Sequence, residues 1–272
     1  MELLGRPAGF GLVMLAAIAL EALWRLAIVR RGYDGLGAAA SFGVAAGNLV
    51  AGALTAAVVG VVYAAAWRLA PVHWPVWNVW TWVAGFVAVE FAYYWQHRFS
   101  HTVRWLWATH AVHHSAEELT LPAAIRLGWT SLVSGAWVMF LPLILAGFDP
   151  LVVLALLAFN LHYQFFLHTE AVGGLGPLEW VLNTPRRHGV HHASNPSLLD
   201  RNFGGVLIVF DRLFGTLADR PEDEPLRYGL THPVGSRNPI RIAFHEWGRL
   251  IGDLRRARSM REAFRAAFGR PA

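Results

Sequence analysis

The chain has 272 residues; 55% are hydrophobic, only 15% are charged, and the formal net charge is +5. An average soluble domain carries about a quarter charged residues, so this composition excludes a disordered tail, a disulfide scaffold and an ordinary water-soluble enzyme. Cysteine is absent, which removes thiolate nucleophiles, cysteine-held zinc and iron–sulfur clusters, and any metal must be held by nitrogen or oxygen.

The expected fold is an all-α integral membrane protein of four to five transmembrane helices, one pair of them a hairpin, with a cytoplasmic helical cap. Residues 10–29 form the first apolar run, long enough for the ~20 residues that cross a bilayer core. Glu21 and Arg25 interrupt it at i,i+4 spacing, where they either pair or face the bundle interior. No basic leader or small-residue cleavage site precedes the run, so it reads as an anchor and not a signal peptide. Residues 42–67 are rich in Ala, Gly and Val and suit close helix packing. The third run covers 76–95. Residues 129–146 and 151–166, separated by Gly147–Pro150, read as a helical hairpin whose second arm is short enough to be re-entrant. Val206–Leu217 reads as an amphipathic helix that lies in the interface or caps the bundle. Residues 240–269 read as an amphipathic helical stretch with Ile240, Phe244, Trp247, Leu250, Ile251 and Leu254 as its apolar positions.

The basic residues are all arginine; eight precede residue 181 and fifteen follow it. By the positive-inside rule Arg30–Arg31 are cytoplasmic, and five spans then place the N-terminus outside and residues 168–272 inside, at the inner membrane of a bacterium. No zinc finger or base-reading module is present, so nucleic acid is not an expected partner. The chain reads as one domain: spans to 96, then 97–126, the hairpin at 129–168, a cap at 169–218 and a basic tail at 219–272.

Chemistry concentrates in the histidines. His97 and His101 form HxxxH; His110, His113 and His114 form HxxHH; His188, His191 and His192 form a second HxxHH. Residues i, i+3 and i+4 share a helix face, so each box is expected to aim its imidazoles at one point. Eight nitrogens exceed the need of one ion and fit two. Imidazole suits iron, zinc or copper. His73, His232 and His245 stand apart and read as ordinary hydrogen-bonded residues. No GxGxxG, P-loop, GxSxG or HExxH motif competes.

These boxes, in this order on an apolar chain, resemble the fatty acid hydroxylase/sterol desaturase superfamily of membrane non-haem di-iron enzymes. The strings HRFSHTVRWLWATHAVHHSAEELTLPAAIR (97–126), YQFFLHTEAVGGLGPLEWVLNTPRRHGVHHASNP (163–196) and NFGGVLIVFDRLFGT (202–216) are similar to its alkylglycerol monooxygenase branch. The resemblance covers residues 75–218. It implies two iron ions bound by His97, His101, His110, His113, His114, His188, His191 and His192. His168, in FLHTE, matches a further family histidine and is implied as a ninth ligand, while His162 is either a ligand or a channel residue. The implied reaction uses O2 to hydroxylate or desaturate a C–H bond of a lipid, including cleavage of an ether lipid. No haem or flavin segment is fused on, so the resemblance implies an external reductant: a tetrahydropterin, or a ferredoxin- or cytochrome-type electron-transfer protein.

Glu118, Glu170 and Asn183 are candidates to orient the box histidines, since a ligating imidazole usually gives its second N–H to a carboxylate or carbonyl; Glu117, Glu179 and Asn195 are further ones. Glu90, inside the third run, is expected to line an access cavity or pair with an arginine. Asp200, Asp211 and Arg212 are expected to contribute an Asp–Arg structural pair. Trp95, Trp105, Trp107, Phe165 and Phe166 line a lipid route or form an interfacial belt. Two other functions compete: a hydroxylase or desaturase of a sterol, hopanoid, fatty acid or carotenoid fed by a redox chain, and a non-catalytic membrane protein that binds or transports metal.

Overall fold

A computed structural model describes residues 7–271. Residues 1–6, to which the reading of an anchor without a leader extends, lie outside them. The described residues are helical, and β-pairing is confined to two isolated bridges, Leu182 with Leu207 and Ala193 with Tyr228.

Helix α1 (Pro7–Leu23) continues as a widened π turn, Trp24–Val29, and stops where Arg30 turns left-handed at φ 54°. Helix α2 (Gly35–Arg68) starts on the Asp34 carboxylate, which accepts the Gly37 N–H at 2.9 Å. At 1.5 Å per residue α2 is about 51 Å long, well beyond the roughly 30 Å of a hydrocarbon core. Residues 9–29 and α2 are long and apolar enough to cross a membrane. Glu21 and Arg25 are both buried but do not bond each other. Glu21 accepts from the Leu121 N–H and the Thr169 hydroxyl, and Arg25 pairs with Glu118 at 3.1 Å. The second sequence alternative, facing inward, therefore holds.

Helix α3 (Val79–Thr102) is capped by Asn78 and buries one stripe that runs from Val89 and Glu90 through Tyr93 and Tyr94 to His97 and His101. Val103 is extended and swings the chain into α4 (Arg104–His114). Helix α5 (Leu121–Ala124) is a single turn. The expected continuous arm at 129–146 is broken. Gly135, with φ 75°, divides α6 (Ser131–Ser134) from a 3-10 turn (Ala136–Phe140), and α7 (Leu141–Leu145) follows. Trp129 lies flat against α2, its indole donating to the Val44 carbonyl, and a Cβ on Gly47 would meet the ring at 2.1 Å. Helix α8 (Pro150–Phe165) has 16 residues, ~24 Å at helical rise. Tyr63, Val89, Tyr93, Phe140, Ile144, Phe148, Val152, Val153 and Leu156 form the main apolar core between α2, α3, α7 and α8.

A 3-10 turn (Gly176–Trp180) precedes α9 (Pro185–His191). The expected helix at 206–217 contracts to α10 (Val209–Leu213), because Glu90 takes the Val206 and Leu207 N–H groups and Gly215 turns left-handed. The C-terminal stretch divides into α11 (Pro239–Arg256) and α12 (Met260–Phe268). Of the expected apolar stripe, Trp247 and Leu250 pack on Ala108 of α4, whereas Ile240, Phe244 and Ile251 face outward, joined by Met260, Phe264 and Phe268.

Candidate metal centre

Four segments deliver nine histidines. Helix α3 carries His97 and His101; α4 carries His110, His113 and His114; His168 follows the end of α8; α9 and its cap carry His188, His191 and His192. They sort into two groups, His97, His101, His110, His114 and His191, and His113, His168, His188 and His192, with ligating nitrogens in each within 4.8 Å of one another. The expectation that each HxxHH box aims at one point is corrected. Successive helical residues diverge by about 100°. His110 and His114 therefore face the first group while His113 faces the second, and His188 and His192 face the second while His191 faces the first. Each HxxHH box serves both groups, whose rings meet where His114 stacks on His192 at 4.3 Å.

The tautomers follow from three backbone carbonyls. Nδ1–H of His97 donates to Phe203 O (2.8 Å), that of His168 to Gln164 O (2.8 Å) and that of His191 to Arg201 O (2.9 Å). A carbonyl only accepts, so in neutral rings Nε2 carries the lone pair. Those lone pairs point into the groups: His97 Nε2 is 3.0 Å from His110 Nε2, and His168 Nε2 lies 3.0 and 3.1 Å from Nε2 of His113 and His188. Nε2 of His191 and of His101 is buried with no hydrogen-bond partner. A buried lone pair without a partner is costly, and a cation between these nitrogens removes the cost. Burial, reinforced by neighbouring imidazoles, pushes His110, His113, His114, His188, His191 and His192 well below the usual imidazole range. They are neutral at pH 7, the form that ligates.

The residues expected to orient these rings do other work. Glu118 pairs with Arg25; Glu170 lies 3.8 Å from Arg31 and accepts from the Tyr228 hydroxyl; Asn183 donates to Gly204 O at 2.6 Å. Glu179 and Arg187 lie 3.6 Å apart, and Asn195 binds the 224–227 loop. His162 is exposed and packs on Phe10, away from both groups. Glu90 neither lines an open cavity nor pairs with arginine: it accepts from Asn160 Nδ2 (2.5 Å), Val206 N (2.8 Å) and Leu207 N (2.9 Å). Asp211 and Arg212 do not pair; Arg212 donates to the Trp180 and Glu179 carbonyls. Of the five aromatic candidates Trp107 borders the histidines, 5.2 Å from His101. Phe203, which sequence reasoning did not single out, lies within 6 Å of His97, His101 and His191; its place in NFGG after the last box was the available signal. Along the outer face of α3 an apolar groove of about 620 Å³ is lined by Trp80, Val83, Val87, Phe91, Leu143 and Phe210.

A helical protein with candidate membrane helices, whose buried centre offers imidazole nitrogen in two adjacent sets, defines a class of histidine-bound metalloproteins. Residues 82–216 match the fatty acid hydroxylase family. It is 44% identical over 179 residues to alkylglycerol monooxygenase of Homo sapiens, covering 66% of this chain and 39% of that protein. The Danio rerio alkylglycerol monooxygenase is 48% identical over 159 residues, 58% of this chain and 35% of the relative. Ornithine lipid hydroxylase OlsE of Rhizobium tropici is 30% identical over 164 residues, 60% of this chain and 49% of the relative. The matched part thus spans less than half the length of these relatives. No solved structure matches the chain.

Proposed function

We propose that this chain is a membrane-bound di-iron oxygenase that hydroxylates a lipid C–H bond. The observation that carries the reading is the division of nine buried or half-buried histidines into sets of five and four. His97, His101, His110, His114 and His191 would hold one ion, and His113, His168, His188 and His192 the other. Bound there, two iron ions would supply O2 activation and insertion of one oxygen atom into the C–H bond, the second oxygen leaving as water with two protons and two electrons, the electrons from an external tetrahydropterin or electron-transfer protein. The chain's own residues hold the lone pairs inward through the Phe203, Gln164 and Arg201 carbonyls and keep the site dry with Phe203 and Trp107. An all-imidazole set is neutral, so the ions keep their full charge.

Two kinds of relative support a lipid substrate: an alkylglycerol monooxygenase and an ornithine lipid hydroxylase. The higher identity to the former favours an ether lipid, hydroxylated beside the ether oxygen; the hemiacetal so formed collapses to a fatty aldehyde and a glycerol. The groove along α3 suits an alkyl tail still in the bilayer. The membrane arrangement that fits has residues 9–29 and α2 as full spans, α3 as a third, and 129–166 as a shorter hairpin, with the histidines and the arginine-rich C-terminal third on the cytoplasmic side. The test is lipid mass spectrometry of cells with and without the protein. An aldehyde and glycerol product supports ether cleavage, a gain of one oxygen supports plain hydroxylation, and an unchanged lipid profile under aerobic, reductant-replete conditions overturns the reading.

A further inference from the structure

One buried carboxylate reaches the first histidine group through a single peptide unit. Asp211 is fully buried at the start of α10. Its Oδ2 accepts from the Gly204 N–H (2.7 Å), and its Oδ1 accepts from the Phe203 N–H (2.8 Å) and the Thr216 hydroxyl (2.7 Å). Burial pushes its carboxyl above the usual carboxylate range, but three donors and no acceptor face it, and these favour the carboxylate over the acid. It makes no ion pair among the described residues: Arg212 turns away to two carbonyls, and Arg98 donates to the Tyr94 hydroxyl.

The Gly204 N–H and the Phe203 carbonyl belong to one peptide group, and that carbonyl accepts His97 Nδ1–H at 2.8 Å. Asp211, the 203–204 peptide and the His97 imidazole are therefore hydrogen-bonded in series. Two other histidines provide an internal control. His168 and His191 also donate Nδ1–H to carbonyls, but the N–H of the Gln164–Phe165 peptide lies inside α8, and that of the Arg201–Asn202 peptide donates to the Thr216 carbonyl. Neither peptide is held by a carboxylate.

We propose that Asp211 is a positioning residue of the metal centre: it polarises the 203–204 peptide, strengthens the His97 Nδ1 hydrogen bond and raises the donor strength of His97 Nε2 toward the ion of the first group. Hydrogen bonds in series polarise one another, and partners behind a ligand tune its basicity. The physical need is charge. Nine neutral imidazoles bring no negative charge to two divalent cations; Asp200 faces His101 Nδ1 at 3.7 Å, and Asp211 sets a further carboxylate one peptide away from His97 without occupying a ligand position. The proposal rests on reading that group as a metal site.

The test titrates the full chain in detergent with ferrous iron under anaerobic conditions, comparing the wild type with Asp211→Asn and Thr216→Val. Asp211→Asn removes the charge and keeps the shape; Thr216→Val removes another Asp211 contact and leaves the series intact. The expected result is iron held about 10–100-fold more weakly by Asp211→Asn, the usual effect of losing a partner behind a ligand, with Thr216→Val within about twofold of wild type. Equal affinity in Asp211→Asn and wild type, or equal losses in the two variants, overturns the proposal. Should Asp211→Asn not fold, the metal-free wild type decides. With ¹⁵N-labelled histidine, the His97 Nδ1 proton is expected further downfield than those of His168 and His191, and a His97 proton level with or upfield of them overturns the series. A wild type that binds no iron counts against the metal-centre reading, while the proton shift still judges the hydrogen-bond series separately.

Discussion

Helix α2 exposes the side chains that water would bury, and the segment 185–216 buries the side chains that water would solvate. Helix α2 turns Leu49, Val50 and Val61 outward, each more than 70% exposed, and keeps Tyr63 and Ser41 inside. The segment 185–216 encloses His188, His191, His192, Asn195, Asn202, Asp211 and Thr216. In water this arrangement would be reversed on both counts. With lipid around α2, an outward Leu loses nothing, so specificity must come from inside, where an unpaired polar group is expensive. His97, His168 and His191 meet that demand with backbone carbonyls, which leaves their Nε2 lone pairs turned into the two histidine sets.

The largest effect expected on the polar side is loss of chemistry. His191→Ala and His113→Ala each remove one lone pair from a different group, so lipid oxidation should fall below detection in both, while circular dichroism stays helical. Undiminished turnover in either would remove that histidine from the centre.

Acid should come next. His168 is pushed down to about 4 by burial, and the α4 and α9 histidines well below the usual range. In the unfolded chain they titrate near 6.5. The stabilising contribution is complete above about 6.5 and is lost as pH falls toward the folded values. Metal-free protein should therefore melt several degrees lower at pH 5 than at pH 7. An unchanged melting temperature would mean that these rings are already charged or open to water.

On the apolar side, Leu49→Arg sharpens the comparison. At the middle of a lipid-facing helix the change should cost about 3 kcal/mol of insertion free energy, whereas on a watery surface it stays within ~0.5 kcal/mol. Membrane-extraction assays separate the two. The smallest effect belongs to the edge between the regions. Phe264→Ser on the outward face of α12, flanked by Arg261 and Arg265, should alter interfacial depth measured by quenching while leaving iron content unchanged. A loss of iron would show that α12 supports the histidine groups.

Much of this contrast was legible in the chain. The 9–29 and 35–68 helices follow from apolar runs, and the histidines from box spacing. The HxxHH spacing did not reveal that adjacent histidines diverge to separate groups, because face-sharing at i,i+4 says nothing about i+3 once two targets exist. Gly135 was not recognised as the break in 129–146, since an isolated glycine is tolerated in many apolar helices. The orienting partners were sought among carboxylates near the boxes, yet the structure uses carbonyls of Arg201 and Phe203, and a backbone carbonyl has no sequence signature. Glu90 and Asp211 carry no sequence sign of their partners, because the N–H groups of the 203–207 loop become partners only once that loop has folded.

The most direct measurement of the central claim is metal analysis of the purified, full-length chain. Two irons per chain are predicted, falling when His113 or His191 is replaced by alanine. Clearly less than two irons with zinc or copper bound stoichiometrically in their place would contradict the di-iron account.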